Sequence, residues 1–327
     1  MDPQKEMRAV YAETLKELAA ENPAIVLLEA DLMKASGTIP FAAAYPRRAF
    51  NVGVAEANMV GVAAGLSVTG KIPFAATFAC FAGRRCFDQF FLSANYAGLN
   101  VKLVGTDPGV SAALNGGTHM AFEDIGIMRT VPALTVLEPS DAVSLRALVK
   151  ACAQHPGCVY LRLHRKAVPA LYAEGERFEL GRGKVLREGR DVTLVALGAI
   201  LVPEALRAAE LLAAEGIEAA VIDALTVKPL DRDLVLEFAG RTGCVVTAEN
   251  HQVSTGLGSA VAEVMAEAGV GRLERIGVRD EFGEVGSQAY LQERFGLTAA
   301  EIARRAAGMV SALRARAGRQ SGGMVRP

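Results

Sequence analysis

The sequence lacks several features that mark common classes of protein. Tryptophan is absent, and aromatic residues make up only 6% of the 327 residues. The 35 Lys and Arg residues nearly balance the 36 Asp and Glu residues, which leaves a formal charge of −1. Binding to nucleic acid or to an anionic membrane needs clustered positive charge, and this composition supplies no excess of it. We therefore expect neither as a partner.

Long apolar runs are also missing. A bilayer-spanning helix needs about 20 consecutive apolar residues, and no run of that length is free of charges, Gly and Pro. The first residues, MDPQKEMRAVYAETL, are polar and amphipathic, without the apolar centre of a signal peptide. Both observations predict a cytoplasmic protein.

The spacing of cysteine and histidine disfavours a structural metal or a disulfide framework. The chain has five cysteines, an odd number, without a Cys-x-x-Cys pair, and four histidines without His-x-x-x-His spacing. Zinc sites and disulfide-stabilised domains use such patterns. We expect no metal ligands on this chain. The residues concerned are Cys80, Cys86, Cys152, Cys158, Cys244, His119, His155, His164 and His251.

Short apolar runs alternate with amphipathic stretches along the chain. Runs rich in Val, Ile and Leu that alternate with helical patterns predict two tandem α/β domains with parallel sheets. The predicted strands are 24–30, 49–53, 72–77, 101–105, 133–137, 158–163, 192–197, 218–223, 244–249 and 272–278. The predicted helices are an opening helix over Met7–Leu18, then 56–69, 82–97, 121–129, 141–154, 201–215, 231–239 and 257–268. The predicted divisions are a first domain over 1–166, a linker over 167–190, a second domain over 191–317 and a flexible tail over 318–327.

Two stretches of the first domain hold candidate pocket residues. Glu56 lies in an apolar run where a strand gives way to a helix, so its carboxyl is either buried or in a solvated first helical turn. The stretch alone favours the solvated alternative. Phe78 and Phe81 follow a strand and are either two walls of a flat pocket or ordinary core. Arg84 is a candidate for an i,i+4 ion pair within its helix.

Two later stretches place polar residues after strands. The loop over 105–124 is long and rich in small residues, and it carries Asp107, Asn115 and His119. A loop of this kind at the carboxyl end of a parallel strand is either a ligand-binding segment or a flexible lid with an exposed His119, and its position favours the first. The segment YLRLHRK ends a strand, where Arg165 is either a phosphate ligand or the start of a solvated linker. The GLGSAV segment lacks the third glycine of a dinucleotide fingerprint, so we do not expect NAD.

These motifs together resemble the transketolase family. The segments ADL, SGT, GVAEANMVGVAAGL, TFACF, NGGTHMAFEDIG, EPSD and LRLHR resemble its pyrimidine-binding domain, which binds part of thiamine diphosphate. The segments TAENH and GLGSAVAEV resemble its C-terminal domain. The resemblance covers about residues 5 to 315, with the motifs in the family's order. Nothing matches the family's Gly-Asp-Gly motif, which holds the diphosphate and a divalent cation.

The resemblance implies cofactor roles for five residues. Glu56 matches the glutamate that hydrogen-bonds the pyrimidine ring nitrogen and activates the cofactor. Phe78 and Phe81 match the aromatic residues that stack on the pyrimidine. Asp31 matches an aspartate near the cofactor, and Arg84 stands where some members have Tyr and others Arg.

The resemblance also implies substrate roles. His119 matches a catalytic histidine close to the substrate hydroxyls, and Arg165 matches an arginine that binds the substrate phosphate. Either Ser36 or Lys34 matches a second phosphate ligand. Asn115 replaces an aspartate that reads donor stereochemistry in many transketolases, and Asp107 replaces a histidine. These two replacements indicate a changed sugar preference, with a modified sugar among the candidates.

The resemblance implies that the chain is the C-terminal subunit of a split transketolase. Such an enzyme transfers a two-carbon ketol unit from a ketose or its phosphate to an aldose or its phosphate. Its partner would be an N-terminal subunit that holds the diphosphate with Mg²⁺ or Ca²⁺, and the assembly would be an α2β2 heterotetramer. Two alternatives are the β-subunit of the first component of a 2-oxo acid dehydrogenase and a non-catalytic subunit of the same fold.

Overall fold

The computed structural model of the chain describes residues 5–321 and contains every strand that the sequence predicts, together with two further strands. The strands are β1 (Ile25–Glu29), β2 (Ala49–Asn51), β3 (Ile72–Phe78), β4 (Lys102–Thr106), β5 (Thr135–Leu137), β6 (Val159–Leu163), β7 (Lys184–Arg187), β8 (Val192–Ala196), β9 (Ala219–Asp223), β10 (Thr226–Lys228), β11 (Cys244–Gln252) and β12 (Arg272–Val278). The α-helices are α1 (Met7–Glu21), α2 (Met33–Ser36), α3 (Ile39–Ala44), α4 (Glu56–Val68), α5 (Ala79–Arg84), α6 (Phe87–Gln89), α7 (Asp124–Arg129), α8 (Ala142–Gln154), α9 (Gly198–Ala214), α10 (Arg232–Thr242), α11 (Leu257–Ala268), α12 (Gln288–Arg294) and α13 (Ala299–Ser321).

The strands form two sheets, and the prediction of two tandem α/β domains is confirmed. The first sheet has the order β10-β5-β6-β4-β3-β1-β2, and the second has the order β12-β11-β8-β9-β7. Every neighbouring pair is parallel except β10 with β5 and β7 with β9. Each sheet is therefore a parallel sheet with one antiparallel edge strand.

The two strands that the sequence analysis missed both change the domain picture. β7 lies inside the predicted linker over 167–190 and adds an edge to the second sheet. β10 belongs by sequence to the second half of the chain, yet Thr226 pairs with Leu137 of the first sheet. One strand of the second half therefore crosses into the first sheet, a feature that the prediction of two tandem domains did not include.

Helices cover both faces of the first sheet. The opening helix is confirmed as α1, and it buries Met7, Val10, Tyr11 and Leu15. On the opposite face α4 packs its apolar side, including Met59, on the sheet. Burial of these faces supplies most of the favourable free energy of folding.

The predicted start of α8 is confirmed as a capping box. The Asp141 carboxylate accepts a hydrogen bond from the backbone N–H of Ser144 at 2.8 Å, and the Ser144 hydroxyl lies 3.0 Å from the Asp141 N–H. Two of the free donors at the helix start are satisfied in this way.

The last helix changes the predicted end of the chain. Residues 318–321 of the predicted flexible tail continue α13, while residues 322–327 lie outside the described part. Within residues 5–321, no helix combines the length and apolarity that crossing a bilayer requires.

A buried ion cluster joins the first sheet to the second half of the chain. Arg162 on β6 is 1% exposed, and it binds both carboxylate oxygens of Asp124, at 2.7 and 3.1 Å. It also donates to the Glu138 carboxylate at 2.6 Å and to the Asn250 carbonyl of β11 at 3.1 Å. Two carboxylates and a backbone carbonyl thus compensate for burying one guanidinium.

Arg162→Met tests this cluster. The substitution leaves Asp124 and Glu138 buried without their counter-charge, so we expect unfolding to cost about 3–5 kcal/mol less than in the wild type. Urea unfolding followed by circular dichroism measures the difference. Arg232→Met is the matched control, because its ion pair with Glu267 is solvent-exposed on both sides and contributes less than about 1 kcal/mol. Equal small losses in both variants would contradict the assignment.

Candidate active site

The predicted site residues lie at one edge of the first sheet. Phe78 ends β3, Asp107 follows β4, Arg165 follows β6, and Asp31 follows β1. These four strands are parallel, so their carboxyl ends meet at the same edge, where open α/β sheets bind ligands.

Glu56 is the first residue of α4, and it is buried. Its side chain is 4% exposed, so the solvated alternative is wrong. The carboxylate has one charged partner, because Nη1 of Arg85 donates to Oε1 at 2.8 Å. The Arg85 side chain is 46% exposed, and its guanidinium carbon lies 3.7 Å from the ring centroid of Phe81. Arg85 therefore links the buried carboxylate to the aromatic residues of the site.

Three rings form the centre of the site. The centroids of Phe78 and Phe81 are 5.9 Å apart. The imidazole of His119 meets both rings edge-on, at 5.2 Å from Phe81 and 6.0 Å from Phe78. The predicted pocket wall of two phenylalanines is thus present, and His119 is brought to it from the 105–124 loop.

Arg165 connects the aromatic rings to the buried Asp107. Its guanidinium carbon lies 5.4 Å from the Phe78 centroid, and Nη2 forms an ion pair with the Asp107 carboxylate. Asp107 is 3% exposed and has a φ of +53°. Burial raises the pKa of Asp107, and the adjacent guanidinium opposes that rise. The site therefore contains one cation whose charge an acidic neighbour partly neutralises.

Asn250 of the second half of the chain holds the site loop in place, which sequence reasoning missed. Its amide donates to the Pro108 carbonyl at 2.9 Å and accepts from the Val110 N–H at 2.9 Å. Gly109 has a φ of +54°, and a Cβ there would lie 2.1 Å from the Asn250 amide oxygen. The TAENH motif contains Asn250. Its contact with residues 108–110 joins segments about 140 residues apart in the sequence, so no local pattern reveals it.

Arg84 acts on the same loop. Its Nη2 donates to the Thr118 carbonyl at 2.6 Å, and its Nε lies 3.4 Å from the Glu123 carboxylate. The predicted ion pair within its own helix is therefore replaced by a contact with the loop. Arg84 positions the segment that carries His119, and its predicted contact with a cofactor stays untested.

The remaining candidates are spread over the site edge. Asp31 is exposed with a φ of +62°, and its carboxylate accepts from the Asn51 amide at 3.0 Å. Asn115 is exposed at the end of the 3-10 segment Gly109–Asn115. Lys34 is exposed on α2. Ser36 is fully buried, so the structure does not bring it to the site surface.

Ser36 instead serves a buried carboxyl. Its hydroxyl donates to Glu29 at 3.2 Å, and Thr38 donates to the other oxygen of Glu29 at 2.6 Å. Burial raises the pKa of Glu29 from its ordinary value of 4.5 to about 8, and the two hydroxyl groups only partly oppose this. A phosphate role for Ser36 is therefore not supported, because its hydroxyl is already engaged inside the protein.

Glu249 occupies the backbone N–H groups at the start of α11, in the glycine-containing segment GLGSAV. The carboxylate accepts the backbone N–H groups of Leu257 and Gly258 at 2.6 and 2.8 Å. A phosphate would use the same N–H groups at the start of the helix. The chain's own carboxylate thus takes the position of an external anion.

Glu29→Gln tests the buried carboxyl. A folded-state pKa above the unfolded value means that the folded protein binds the extra proton, so stability falls as pH rises from about 4.5 to about 8. Asp223 and Glu249, with pKa values raised by burial to about 7, add losses of the same sign. We expect the variant to lose less stability than the wild type between pH 7 and 8, as measured by urea unfolding. A parallel decline in both proteins would contradict the raised pKa of Glu29.

The arrangement fits one half of a flat, nitrogen-containing cofactor. The aromatic rings offer a stacking surface, and the buried carboxyl group of Glu56 can share a proton with a ring nitrogen. Within residues 5–321, no group of three or more His, Cys, Asp or Glu side chains is arranged to hold a metal ion. The residues present therefore suit a flat heterocycle.

Two family models match the chain in tandem. The transketolase pyrimidine-binding domain matches residues 3–170, and the transketolase C-terminal domain matches residues 181–302. The chain is 54% identical over 300 residues to a 6-deoxy-6-sulfo-D-fructose transketolase subunit, SqwH, of Clostridium sp. strain MSTE9, covering 92% of this chain and 93% of that one. It is 41% identical over 304 residues to a putative transketolase C-terminal section of Methanocaldococcus jannaschii, covering 92% of this chain and 95% of that one.

Solved structures agree with these relatives. A split-gene transketolase, an inactive β4 tetramer, superposes with a TM-score of 0.87 at 48% identity, covering 94% of this chain and 98% of that one. A transketolase variant of Pichia stipitis superposes with a TM-score of 0.80 at 22% identity, over 95% of this chain and 47% of that one. The second match shows a shared fold.

Proposed function

The chain belongs to the transketolase family as a C-terminal subunit of the split type, and from that premise we propose how its site works. The proposed activity is transfer of a two-carbon ketol unit from a ketose to an aldose with thiamine diphosphate. The observation that carries the proposal is the buried carboxylate of Glu56, linked through Arg85 to the rings of Phe78, Phe81 and His119.

Three residues are proposed to hold the pyrimidine of the cofactor. Phe78 and Phe81 supply the stacking surface, and Glu56 accepts or shares a proton at a ring nitrogen. When bound, thiamine diphosphate supplies the electron sink that cleavage next to a ketose carbonyl requires. The chain's own contribution is to orient the ring and to exclude water around one buried carboxylate.

His119 and Arg165 are proposed to act on the sugar. The half-buried imidazole of His119 lies 3.0 Å, at Nδ1, from the Thr118 hydroxyl, and it suits proton transfer at a substrate hydroxyl. The guanidinium of Arg165 is 21% exposed at the same edge and suits an anionic group at the far end of the substrate.

The donor is proposed to be a ketose with a terminal sulfonate, as in 6-deoxy-6-sulfo-D-fructose. A relative that is 54% identical acts on this sugar according to its name. Asp107 partly neutralises Arg165, which favours a singly charged sulfonate over a phosphate ester, whose charge at pH 7 is about −1.5 to −2. Asn115 stands at the site edge, where its amide both donates and accepts hydrogen bonds. Sugar phosphates are the second donor class.

The partner is proposed to be an N-terminal subunit that holds the cofactor diphosphate with Mg²⁺ or Ca²⁺. Support comes from the site itself, which has features for a heterocycle but, in the described residues, no metal cluster. The related split-gene chain that forms a β4 tetramer is described as inactive, which agrees with a missing subunit. We propose a cytoplasmic α2β2 heterotetramer. The dehydrogenase β-subunit and the non-catalytic subunit are the less supported alternatives.

Glu56→Gln tests the catalytic proposal in the assembled enzyme. Glutamine keeps the shape of the side chain but cannot carry the charge or exchange the proton, so kcat should fall by about two to four orders of magnitude. Turnover is measured by coupled detection of the aldose product, and assembly by size-exclusion chromatography. Glu263→Gln is the matched control, because Glu263 is an exposed helical glutamate on α11. Full turnover by the Glu56 variant would overturn the proposal.

Arg165 is tested by comparing charged and uncharged donors. Arg165→Met combined with Asp107→Asn removes the cation without leaving a buried carboxylate unpaired. We expect kcat/KM for 6-deoxy-6-sulfo-D-fructose to fall by about 10- to 100-fold, since a hydrogen bond to a charged group contributes about 1.5–3 kcal/mol. The kcat/KM for uncharged D-fructose should change little. An equal fall for both sugars would assign Arg165 a structural role instead.

A further inference from the structure

A second cavity lies directly behind the active-site edge. It has a volume of about 330 Å³, at the lower end of the range of small-molecule pockets. It is bounded by the end of β6, the chain after it, the first turns of α9, and α12. His164 and Lys166 line it, whereas Arg165 between them contacts Asp107 and Phe78 of the active site. Neighbouring residues at one strand end therefore face two different places, the active-site edge and this cavity.

His164 faces this cavity as a buried polar group without a partner. Its side chain is 3% exposed, and its imidazole has no hydrogen bond to any residue in the described part of the chain. Burial, helped by Lys166 and Arg165, lowers the pKa of His164 to about 4, so the ring is neutral near pH 7. A neutral imidazole carries one donor and one acceptor, and neither is used within residues 5–321, so both are available to a ligand.

The backbone of α9 offers an acceptor to the same cavity. Pro203 lies inside the helix and has no N–H to donate to the carbonyl of Ala199, four residues earlier. Both residues line the cavity. A ligand hydroxyl could therefore donate to a carbonyl that lacks its regular helical hydrogen bond.

The charges around the cavity favour an anion. Lys166 is exposed and forms no ion pair with a carboxylate among residues 5–321. The single carboxylate of the lining, Glu204, is already engaged by Arg207, by the Gln292 amide at 3.2 Å and by the Ala299 N–H at 2.7 Å. The ammonium of Lys166 is thus the charge left to bind a ligand.

We propose that this cavity is a binding site for a small hydroxylated anion of the polyol phosphate class. The anionic group would bind the Lys166 ammonium and the His164 N–H, and a hydroxyl would donate to the Ala199 carbonyl. Arg165 lies between His164 and Lys166 in the sequence, just after β6. A ligand bound in this cavity would therefore influence the position of Arg165 in the active site. The site is separate from the proposed catalytic one and does not depend on it.

The test uses the full chain, with sn-glycerol 3-phosphate as the probe. The four histidines are His119, His155, His164 and His251, so ring carbon–proton NMR spectra can be assigned with single variants. We expect saturable shifts of the His164 signals, and isothermal titration should give the same affinity. Inorganic phosphate should bind more weakly, because it has no polyol hydroxyl, and glycerol should not bind.

Lys166→Gln should lower the affinity for the probe by about tenfold, because a charge-assisted hydrogen bond is lost. Lys71→Gln should leave the affinity unchanged, since Lys71 precedes β3 at the opposite edge of the sheet. Shifts at His119 without shifts at His164 would place the probe in the active site and overturn the proposal. Equal affinities of the two lysine variants for the probe would overturn it as well. So would the absence of a His164 shift at 10 mM probe, which is about a hundred times the dissociation constant of a tightly bound metabolite.

Discussion

The buried guanidinium of Arg162 holds the two halves of this chain in one arrangement. It lies on β6, an interior strand of the first sheet, where it binds Asp124 at the start of α7 and Glu138 after β5. Its bond to the Asn250 carbonyl reaches β11 of the second sheet. Burying a charge costs several kcal/mol unless its partners are well placed, so each of these elements has little freedom to shift.

The active-site loop depends on this arrangement at both of its ends. Residue 124, which closes the loop, is fixed by the guanidinium, and Asn250, whose carbonyl it binds, holds the backbone of residues 108–110 with its side chain. His119 lies between these two anchors and meets Phe78 and Phe81 edge-on. The second domain therefore contributes to the site by setting the position of the loop.

Much of the fold could be predicted from the sequence, because the signals for buried parallel strands and for α1, α4 and α8 are local. β10 could not be predicted in this way, since its three residues pair with β5 of the other domain, a contact between segments far apart in the sequence. The single helix predicted over 82–97 is three shorter segments, α5, α6 and the π-helical Phe90–Tyr96. Periodicity of apolar residues does not distinguish these helical forms.

The residues of the candidate site could be predicted from the sequence, whereas the contacts between them could not. The burial of Glu56, its pairing with Arg85 and the turn of Ser36 toward Glu29 are long-range contacts that leave no trace in spacing. The position of Glu56 in a first helical turn favoured exposure to solvent. A single arginine, Arg85, compensates for the burial of its carboxylate instead. Resemblance identified the residue types, and the structure supplied the reasons for their placement.

The central claim is that this chain supplies the heterocycle half of a cofactor site and needs a second chain for the rest. The most direct measurement is isothermal titration of thiamine diphosphate with Mg²⁺ into this chain, into the N-terminal subunit, and into their mixture. We expect strong binding of the cofactor only to the mixture of the two chains, with one cofactor per pair of chains. Equal binding and full turnover by this chain alone would contradict it.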